Sequence, residues 1–216
     1  MTKPRYPSTS AEPRHSHRAF SLLELLVTIS IIAILSAAGA TILGSGLRKP
    51  SLSVAGNKMA GMVENAQQKA ITQNTATAVI VVTKPGYALS YRLMTVLVLD
   101  AQTDTWKQTS PWELLPEGVL VDPDPAKSSF LTPPGALLTL PVLTREGATF
   151  DPQAGGYAYR VFTSSGVPYE NNAPITMRLI HGIQGVSGEV TATDNGQNFF
   201  EVIVAEATGR IRVVRP

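Results

Sequence analysis

The chain has 216 residues, 44% of them hydrophobic, which allows one ordinary domain with an extension and excludes a mainly disordered protein. It contains no cysteine, which excludes a disulfide framework, a thiolate metal site and a cysteine nucleophile. The first nineteen residues carry a net charge of +3 and the remainder −1, so a generally basic nucleic-acid-binding surface is not expected beyond residue 19.

The first predicted elements are a polar leader and a long apolar helix. Residues 1–19 are basic and rich in proline and serine, and an apolar run over residues 20–43 follows them. As a helix, this run would measure roughly 36 Å at about 1.5 Å per residue, which is enough to cross the hydrocarbon core of a bilayer. Its single charge is Glu24. Because an ionised carboxylate in hydrocarbon costs about 2.5–3.5 kcal/mol, Glu24 requires a partner.

The junction between leader and apolar run resembles the class III signal of type IV prepilins and type II secretion pseudopilins. The resemblance rests on the basic leader, the small residue Ala19, Phe20 at the junction, and Glu24 as the fifth residue counted from Phe20. It implies that a prepilin peptidase cuts between Ala19 and Phe20 and that Phe20 is then N-methylated. It also implies that Glu24 pairs with the terminal amine of a neighbouring subunit during assembly. The family usually has glycine where this chain has Ala19.

The same resemblance implies a single-pass protein of the bacterial inner membrane that is later assembled into a filament. Its leader would be cytoplasmic and its head periplasmic or otherwise extracytoplasmic, and the basic residues before the span predict the same orientation. Two other interpretations stay open. A secretory signal peptide would be cut at Ala38-Gly39-Ala40, although its apolar core is typically only about 7–15 residues long. In the second interpretation, the apolar run is a plain single-span membrane anchor that is not cut.

An amphipathic continuation of the helix is predicted over residues 44–74. Its apolar residues recur at steps of three and four, which places them on one helical face. They are Leu52, Ala55, Met59, Met62, Ala66 and Ala70. We expect this face, including its two methionines, to pack on a sheet.

The pattern changes to strands in the β-rich head over residues 75–216. Strands are predicted at 77–82, 105–108, 157–163, 175–180, 199–205 and 210–214, with one long or two short strands over 87–99 and a turn followed by a strand over 114–121. Prolines exclude regular central strands at about 122–141, which we interpret as a surface insertion. A long N-terminal helix packed on an antiparallel β-sheet head predicts an α+β fold. The resemblance to prepilins implies that this fold is pilin-like.

Four parts of the head are similar to the GspH/FimT-like group of minor pilins and pseudopilins. They are a helix end with its first strand at 66–81, a turn at 112–119, a hairpin at 162–166 and two last strands at 200–213. The Verru_Chthon cassette protein D type is a similar relative. These resemblances imply a non-enzymatic minor pseudopilin or pilin. Its partners would be other pilin or pseudopilin subunits, the prepilin peptidase/methyltransferase and, before assembly, the inner membrane.

Neither catalysis nor a cofactor is predicted. His15 and His17 fall in the leader, so His181 is the only histidine of the processed chain, which excludes a histidine-rich metal site. A lone histidine beside a glycine is expected at the surface. Asp122 and Asp124 could bind calcium together with backbone oxygens, although a solvated turn is the simpler interpretation of two aspartates among prolines.

The alternative function is that of a DNA-binding minor pilin in a DNA-uptake filament. Pilins of the FimT kind carry a C-terminal Gly-Arg-x-Arg segment associated with DNA binding, and residues 209–212, followed by Arg215, resemble it. On a strand, Arg210 and Arg212 would face the same side and could contact neighbouring phosphates. Arginines on an edge strand also protect it from aggregation, which needs no ligand.

Overall fold

The structure of the chain is a computed structural model. The described ranges are 21–46, 48–132, 139–169, 173–185, 188–193 and 197–215, and for 37–46 and 48–50 they concern the backbone alone. The predicted leader and the predicted cut between Ala19 and Phe20 therefore lie outside the described residues. The chain divides into two compact units, Met1–Gly44 and Ser45–Pro216.

Helix α1 covers Leu22–Gly46 and lies mostly in the first unit. Leucine, isoleucine and alanine dominate it and proline is absent, which favours an uninterrupted helix. Every side chain described in it, from Leu22 to Ser36, is exposed. Within the described residues, no helix holds a stretch with the length and apolar character needed to span a bilayer.

Helix α2 covers Arg48–Gln73 and presents a buried stripe in the second unit. The stripe predicted from the spacing is confirmed, since all of its residues are buried: Leu52, Ala55, Met59, Met62, Ala66 and Ala70. The helix ends because Asn74 adopts a left-handed conformation, with a φ of 48°. The N–H of Thr75 then donates to the carbonyl oxygen of Ala70 at 3.1 Å, which satisfies one of the last helical acceptors.

The strands lie in the second unit and form two antiparallel sheets and a hairpin. They are β1 Thr77–Val82, β2 Leu93–Asp100, β3 Thr105–Gln108, β4 Glu113–Leu114, β5 Val119–Val121, β6 Leu143–Arg145, β7 Ala148–Phe150, β8 Tyr157–Phe162, β9 Ile175–Gln184, β10 Val190–Ala192, β11 Phe199–Val204 and β12 Ile211–Val214. The first sheet has the order β3-β2-β1-β8, with β4 paired to β2. The second has the order β10-β9-β11-β12, with β5 paired to β9. Strands β6 and β7 form the hairpin.

The main core of the second unit lies between α2 and the two sheets. Met59 of α2 is buried there with Val79 of β1 and Val202 of β11. A second core covers the other face of the first sheet, where Ile80 of β1 is buried with Phe150 of β7. Because both faces of β1 are buried, its sequence is apolar at nearly every position rather than at alternate ones. The predicted α+β class, a helix packed on antiparallel sheet, is confirmed.

The interpretation of residues 122–141 as a surface insertion is wrong for part of the described segment. A short 3-10 helix, Ser129–Leu131, carries the buried side chain of Phe130 into the main core. Leu140 is buried in the second core. Prolines prevent ladder hydrogen bonds, but they do not prevent a neighbouring side chain from being buried, and this distinction explains the error.

The surface position expected for His181 is also wrong, because this side chain is only 7% exposed. Strand β9 was predicted to end at residue 180 but continues to Gln184. Strand β5 pairs Val119 with His181, and β10 pairs Ala192 with Gly182, so partner strands hold β9 in extended conformation beyond the predicted end. Neither β10 nor the hairpin β6–β7 was predicted, and 87–92 forms turns rather than a strand.

Candidate functional site

Glu24 lies in the first turn of α1, which begins at Leu22. The first backbone N–H groups of a helix have no helical acceptor and give its N-terminus a partial positive charge. A carboxylate in the first turn is favoured there by about 0.3–1 kcal/mol at an exposed site. The Glu24 side chain is exposed, and within the described residues it takes part in no ion pair.

Helix α1 presents apolar side chains on all sides around this carboxylate. Its exposed large apolar residues are Leu22, Leu23, Leu25, Leu26, Val27, Ile29, Ile31, Ile32, Ile34 and Leu35. The hydroxyl of Thr28 donates to the carbonyl oxygen of Leu25 at 2.8 Å, and that of Ser30 to the carbonyl oxygen of Leu26 at 2.7 Å. These hydroxyls are therefore satisfied within the helix, as an apolar environment requires. Among the described side chains of α1, Glu24 alone carries a charge.

The three C-terminal arginines do not form one cluster. Arg210 and Arg212 are exposed and, two residues apart at the edge strand β12, lie on one side of the second sheet. The guanidinium of Arg215 lies 4.6 Å from the ring centre of Phe200, on the face that packs against α2. Side chains alternate between the two faces of a strand, so Arg215 lies on the face opposite to that of Arg210 and Arg212.

The two aspartates considered for calcium lie beside cations and backbone amides. The buried carboxylate of Asp122 is 3.6 Å from Nζ of Lys127, and that of Asp124 is 3.3 Å from the same nitrogen. The N–H of Ala126 donates to Oδ1 of Asp124 at 3.0 Å and, together with Lys127, lowers the pKa of the Asp124 carboxyl. In the described part of the chain, no group of three or more histidine, aspartate or glutamate side chains converges as a metal site would require.

Gln67 joins three of the segments that are similar to the GspH/FimT-like group. Its Nε2 donates to the carbonyl oxygens of Gly166, at 3.0 Å, and Gly209, at 2.7 Å. Gly209 has a φ of 68°, and a Cβ built on it would lie 2.5 Å from the carbonyl oxygen of Gly166. Only glycine allows this approach. This contact was not predicted, although a glycine in each of the two segments that accept the hydrogen bonds was a signal of close backbone approach.

The N-terminal segment was compared with models of protein families. Residues 14–40 match the model described as the prokaryotic N-terminal methylation motif. The chain carries this methylation motif. The match confirms the predicted prepilin-type N-terminal signal. The matched residues include Ala19, Phe20 and Glu24, whose individual roles stay predictions.

Comparison with solved structures found several similar chains. The minor pseudopilin EpsH of the type 2 secretion system of Vibrio cholerae is 14% identical, with a TM-score of 0.43 over 77% of this chain and 98% of that chain. A second EpsH structure is 17% identical, with a TM-score of 0.43 over 78% and 96%. The type IV minor pilin FimU of Pseudomonas aeruginosa is 11% identical, with a TM-score of 0.45 over 78% and 95%. No curated protein matches the chain.

Proposed function

We propose that this chain is the precursor of a pilin-like structural subunit, a minor pseudopilin of a type II secretion pseudopilus or a minor pilin of a type IV pilus. The prepilin peptidase/methyltransferase cuts it between Ala19 and Phe20 and methylates Phe20. The subunit then joins other pilin or pseudopilin subunits through α1. The observation that carries this proposal is an apolar helix within the matched motif, with one carboxylate in its first turn and with every described side chain, from Leu22 to Ser36, exposed.

The exposed surface of α1 supports assembly because such a helix needs apolar surroundings. A helix that is apolar on all sides is stable only inside a protein assembly or in lipid, and large exposed apolar patches mark interaction surfaces. In the proposal, the inner membrane surrounds α1 before assembly, and neighbouring subunits surround it in the filament. The β-rich head stays on the extracytoplasmic side, and the basic leader marks the cytoplasmic side.

The charge of Glu24 supports a specific partner within the assembly. Cleavage creates a new amine on Phe20, and this amine can approach the carboxylate of a neighbouring subunit. At 4 Å, such a pair gains about 4 kcal/mol at an effective dielectric constant of about 20. This gain is similar to the cost of about 2.5–3.5 kcal/mol for a carboxylate at the centre of a membrane helix. Pairing therefore favours one stagger between subunits, in which both charges are neutralised.

The alternative of a DNA-binding minor pilin has no support from the comparisons. The arginines on which it depends are also divided, since Arg215 contacts Phe200, Arg210 lines a cavity with Glu64 and Gln67 of α2, and Arg212 is exposed on β12. We therefore propose only the structural subunit.

The experiment that tests the proposed processing is mass spectrometry of the mature N-terminus. The full chain is expressed in a bacterium that has a prepilin peptidase, and an isogenic strain without the peptidase is the control. We expect a chain that starts at N-methylated Phe20 in the first strain and the uncut chain in the second. A chain that starts near Thr41 in both strains would indicate ordinary secretion, and retention of the leader in both would indicate a plain anchor. Either result would refute the proposal.

A further inference from the structure

Strand β12 lies at one edge of the second sheet. The sheet has the order β10-β9-β11-β12, so β12 pairs with β11 and, within the described residues, with no other strand. The N–H of Ala205 donates to the carbonyl oxygen of Arg210 at 3.0 Å, so the backbone of Arg210 faces β11. Because backbone groups alternate in direction along an antiparallel strand, those of Ile211 and Val213 point away from the sheet.

These outward backbone groups can pair with a further strand. In the described part of the chain, no residue forms a hydrogen bond with the backbone of Ile211 or Val213 on this side. We call these groups the β12 edge. A row of unpaired N–H and C=O groups is a template for an added strand. In complexes of this kind, the main-chain hydrogen bonds give affinity, and pockets for alternate side chains give specificity.

A cavity of about 250 Å³ lies at the start of the β12 edge. Ile71 of α2 and Ile211 of β12 are among the residues that line it. The side chains of Ile211 and Val213 lie on the face of the sheet that packs against α2, since these residues pair with the buried Val204 and Val202. A strand added along the β12 edge would direct every second side chain to the same face. The side chain opposite Ile211 would therefore point towards this cavity.

Two large apolar side chains are exposed beside the β12 edge. Ile71 is 56% exposed and Val213 is 45% exposed, whereas their neighbours Ala70 and Val202 are buried in the head. Covering such side chains removes apolar surface from water, which is favourable, and exposed apolar groups of this kind mark interaction sites when they adjoin one another. A segment that covers the edge therefore needs apolar residues on the side that faces α2.

The opposite side of β12 carries a positive charge. Arg212 is exposed on that side, and residues 207–216 contain three arginines and no acidic residue. Among the described residues, Arg212 takes part in no ion pair, not even with Glu201 on the same face of β11. Two copies of β12 side by side would bring their arginines together, and like charges on neighbouring strands are unfavourable. The charges therefore disfavour a second copy and favour an acidic partner.

We propose that the β12 edge binds an extended segment of a partner protein in which acidic and apolar residues alternate. The segment adds to the second sheet as a further strand beside β12, and its backbone pairs with Ile211 and Val213. Its acidic side chains lie beside Arg212, and its apolar side chains cover Val213 and Ile71. The partner is a protein other than a second copy of this chain. This inference concerns the head alone and goes beyond the proposed function.

Titration of a labelled peptide into the full chain in detergent tests the proposal. The probe is a short synthetic peptide in which valine and glutamate alternate, and the matched control has lysine in place of glutamate. At low salt, we expect the acidic peptide to bind about tenfold more tightly or better, since opposite charges on neighbouring strands attract and like charges repel. The amides of Ile211 and Val213 should be protected from hydrogen exchange by the acidic peptide. Equal binding of both peptides, no binding of either, or binding without this protection would overturn the assignment.

Two variants separate pairing at the edge from a general attraction between charges. Val213→Pro removes an outward N–H but no donor to β11, and proline is tolerated at such edge positions, so we expect a folded head that no longer binds the acidic peptide. Arg212→Glu changes only an exposed side chain, and we expect it to lose the preference for the acidic peptide. If Val213→Pro folds and binds like the unchanged chain, or if Arg212→Glu keeps the preference, the assignment is refuted. Neither variant alters α1 or the cut at Phe20, so such a failure leaves the proposed function standing.

Discussion

Two glycines of α2 are predicted to respond in opposite ways to the same substitution. Replacing glycine by alanine inside a helix is normally favourable by about 0.8–1 kcal/mol. At Gly61, the added methyl group would meet no atom within 4 Å. We therefore expect Gly61→Ala to increase the free energy of unfolding by about 0.5–1 kcal/mol.

At Gly56, the same methyl group would overlap a buried ring. A Cβ there would lie well under 3.0 Å from three atoms of the Phe200 ring. This ring is 1% exposed, and the guanidinium of Arg215 lies 4.6 Å from its centre, so it has little room to move. Overpacking typically costs about 1–3 kcal/mol, and the gain in helix propensity offsets part of it. We expect Gly56→Ala to decrease the free energy of unfolding by about 1–2 kcal/mol.

Urea unfolding of the full chain in detergent measures both variants. Trp106 and Trp112 lie in the head and are half-buried, so their fluorescence reports its unfolding. The midpoints should move in opposite directions at an unchanged m-value. Combining Gly56→Ala with Phe200→Leu, which makes room for the methyl group, should destabilise less than the sum of the single changes. A Gly56→Ala protein at least as stable as Gly61→Ala would refute the packing of Phe200 on α2.

Three further predictions concern the head. Gln67→Ala should destabilise the head by about 1–3 kcal/mol, because two glycine carbonyls lose their hydrogen-bond donor. Gln67→Glu should be at least as destabilising, since a carboxylate cannot donate these hydrogen bonds. Urea unfolding measures both variants. Phe130→Ala should cost about 3–5 kcal/mol in the same assay, whereas a surface insertion would tolerate it within about 0.5 kcal/mol. The hydrogen bond from Lys107, together with the backbone N–H groups of Gln102 and Thr103, lowers the pKa of Asp100 to about 2. Because the folded pKa is depressed, this contribution to stability is present above about pH 4 and is lost as the pH falls towards 2. In Lys107→Met, the pKa of Asp100 measured by NMR should rise; an unchanged pKa would contradict this contact.

Local patterns were sufficient to predict much of the second unit. The buried stripe of α2 follows from apolar residues three and four positions apart, and strand β1 was predicted with its observed bounds, Thr77–Val82. Strand β3, Thr105–Gln108, was also predicted with its observed bounds. In each case, the signal lies within a few neighbouring residues, so no knowledge of distant partners was needed.

Features that depend on distant partners could not be predicted in this way. Phe130 lies among prolines, and its burial depends on Arg160, 5.8 Å from its ring centre, and on the surrounding core. His181 is buried because β5, some sixty positions earlier, pairs with β9. The two hydrogen bonds of Gln67 join segments that are 99 and 142 residues away. Sequence spacing carries no information on such contacts, since the register between elements is set by tertiary packing.

For the candidate site, the sequence was more informative than for the head. Glu24 is recognisable because it is the single charge in an apolar run, and that property is visible without a structure. The different surroundings of Gly56 and Gly61 could be seen only in the structure, since a glycine in the sequence does not show whether a Cβ would meet atoms of its own chain. The open space at Gly61 and the filled space at Gly56 distinguish two residues that look alike in the sequence.

Incorporation of a Glu24→Gln variant into filaments tests the pairing of Glu24 most directly. Glutamine keeps the size and the hydrogen-bonding capacity of the side chain but removes the charge that attracts the amine of the neighbouring subunit. The matched control is Thr28→Ala in the same helix, whose hydroxyl bonds only within α1. We predict that both variants are cut at Phe20 and that Glu24→Gln is incorporated about tenfold less or worse, since about 1.4 kcal/mol corresponds to a factor of ten. Equal incorporation of the two variants would contradict the account.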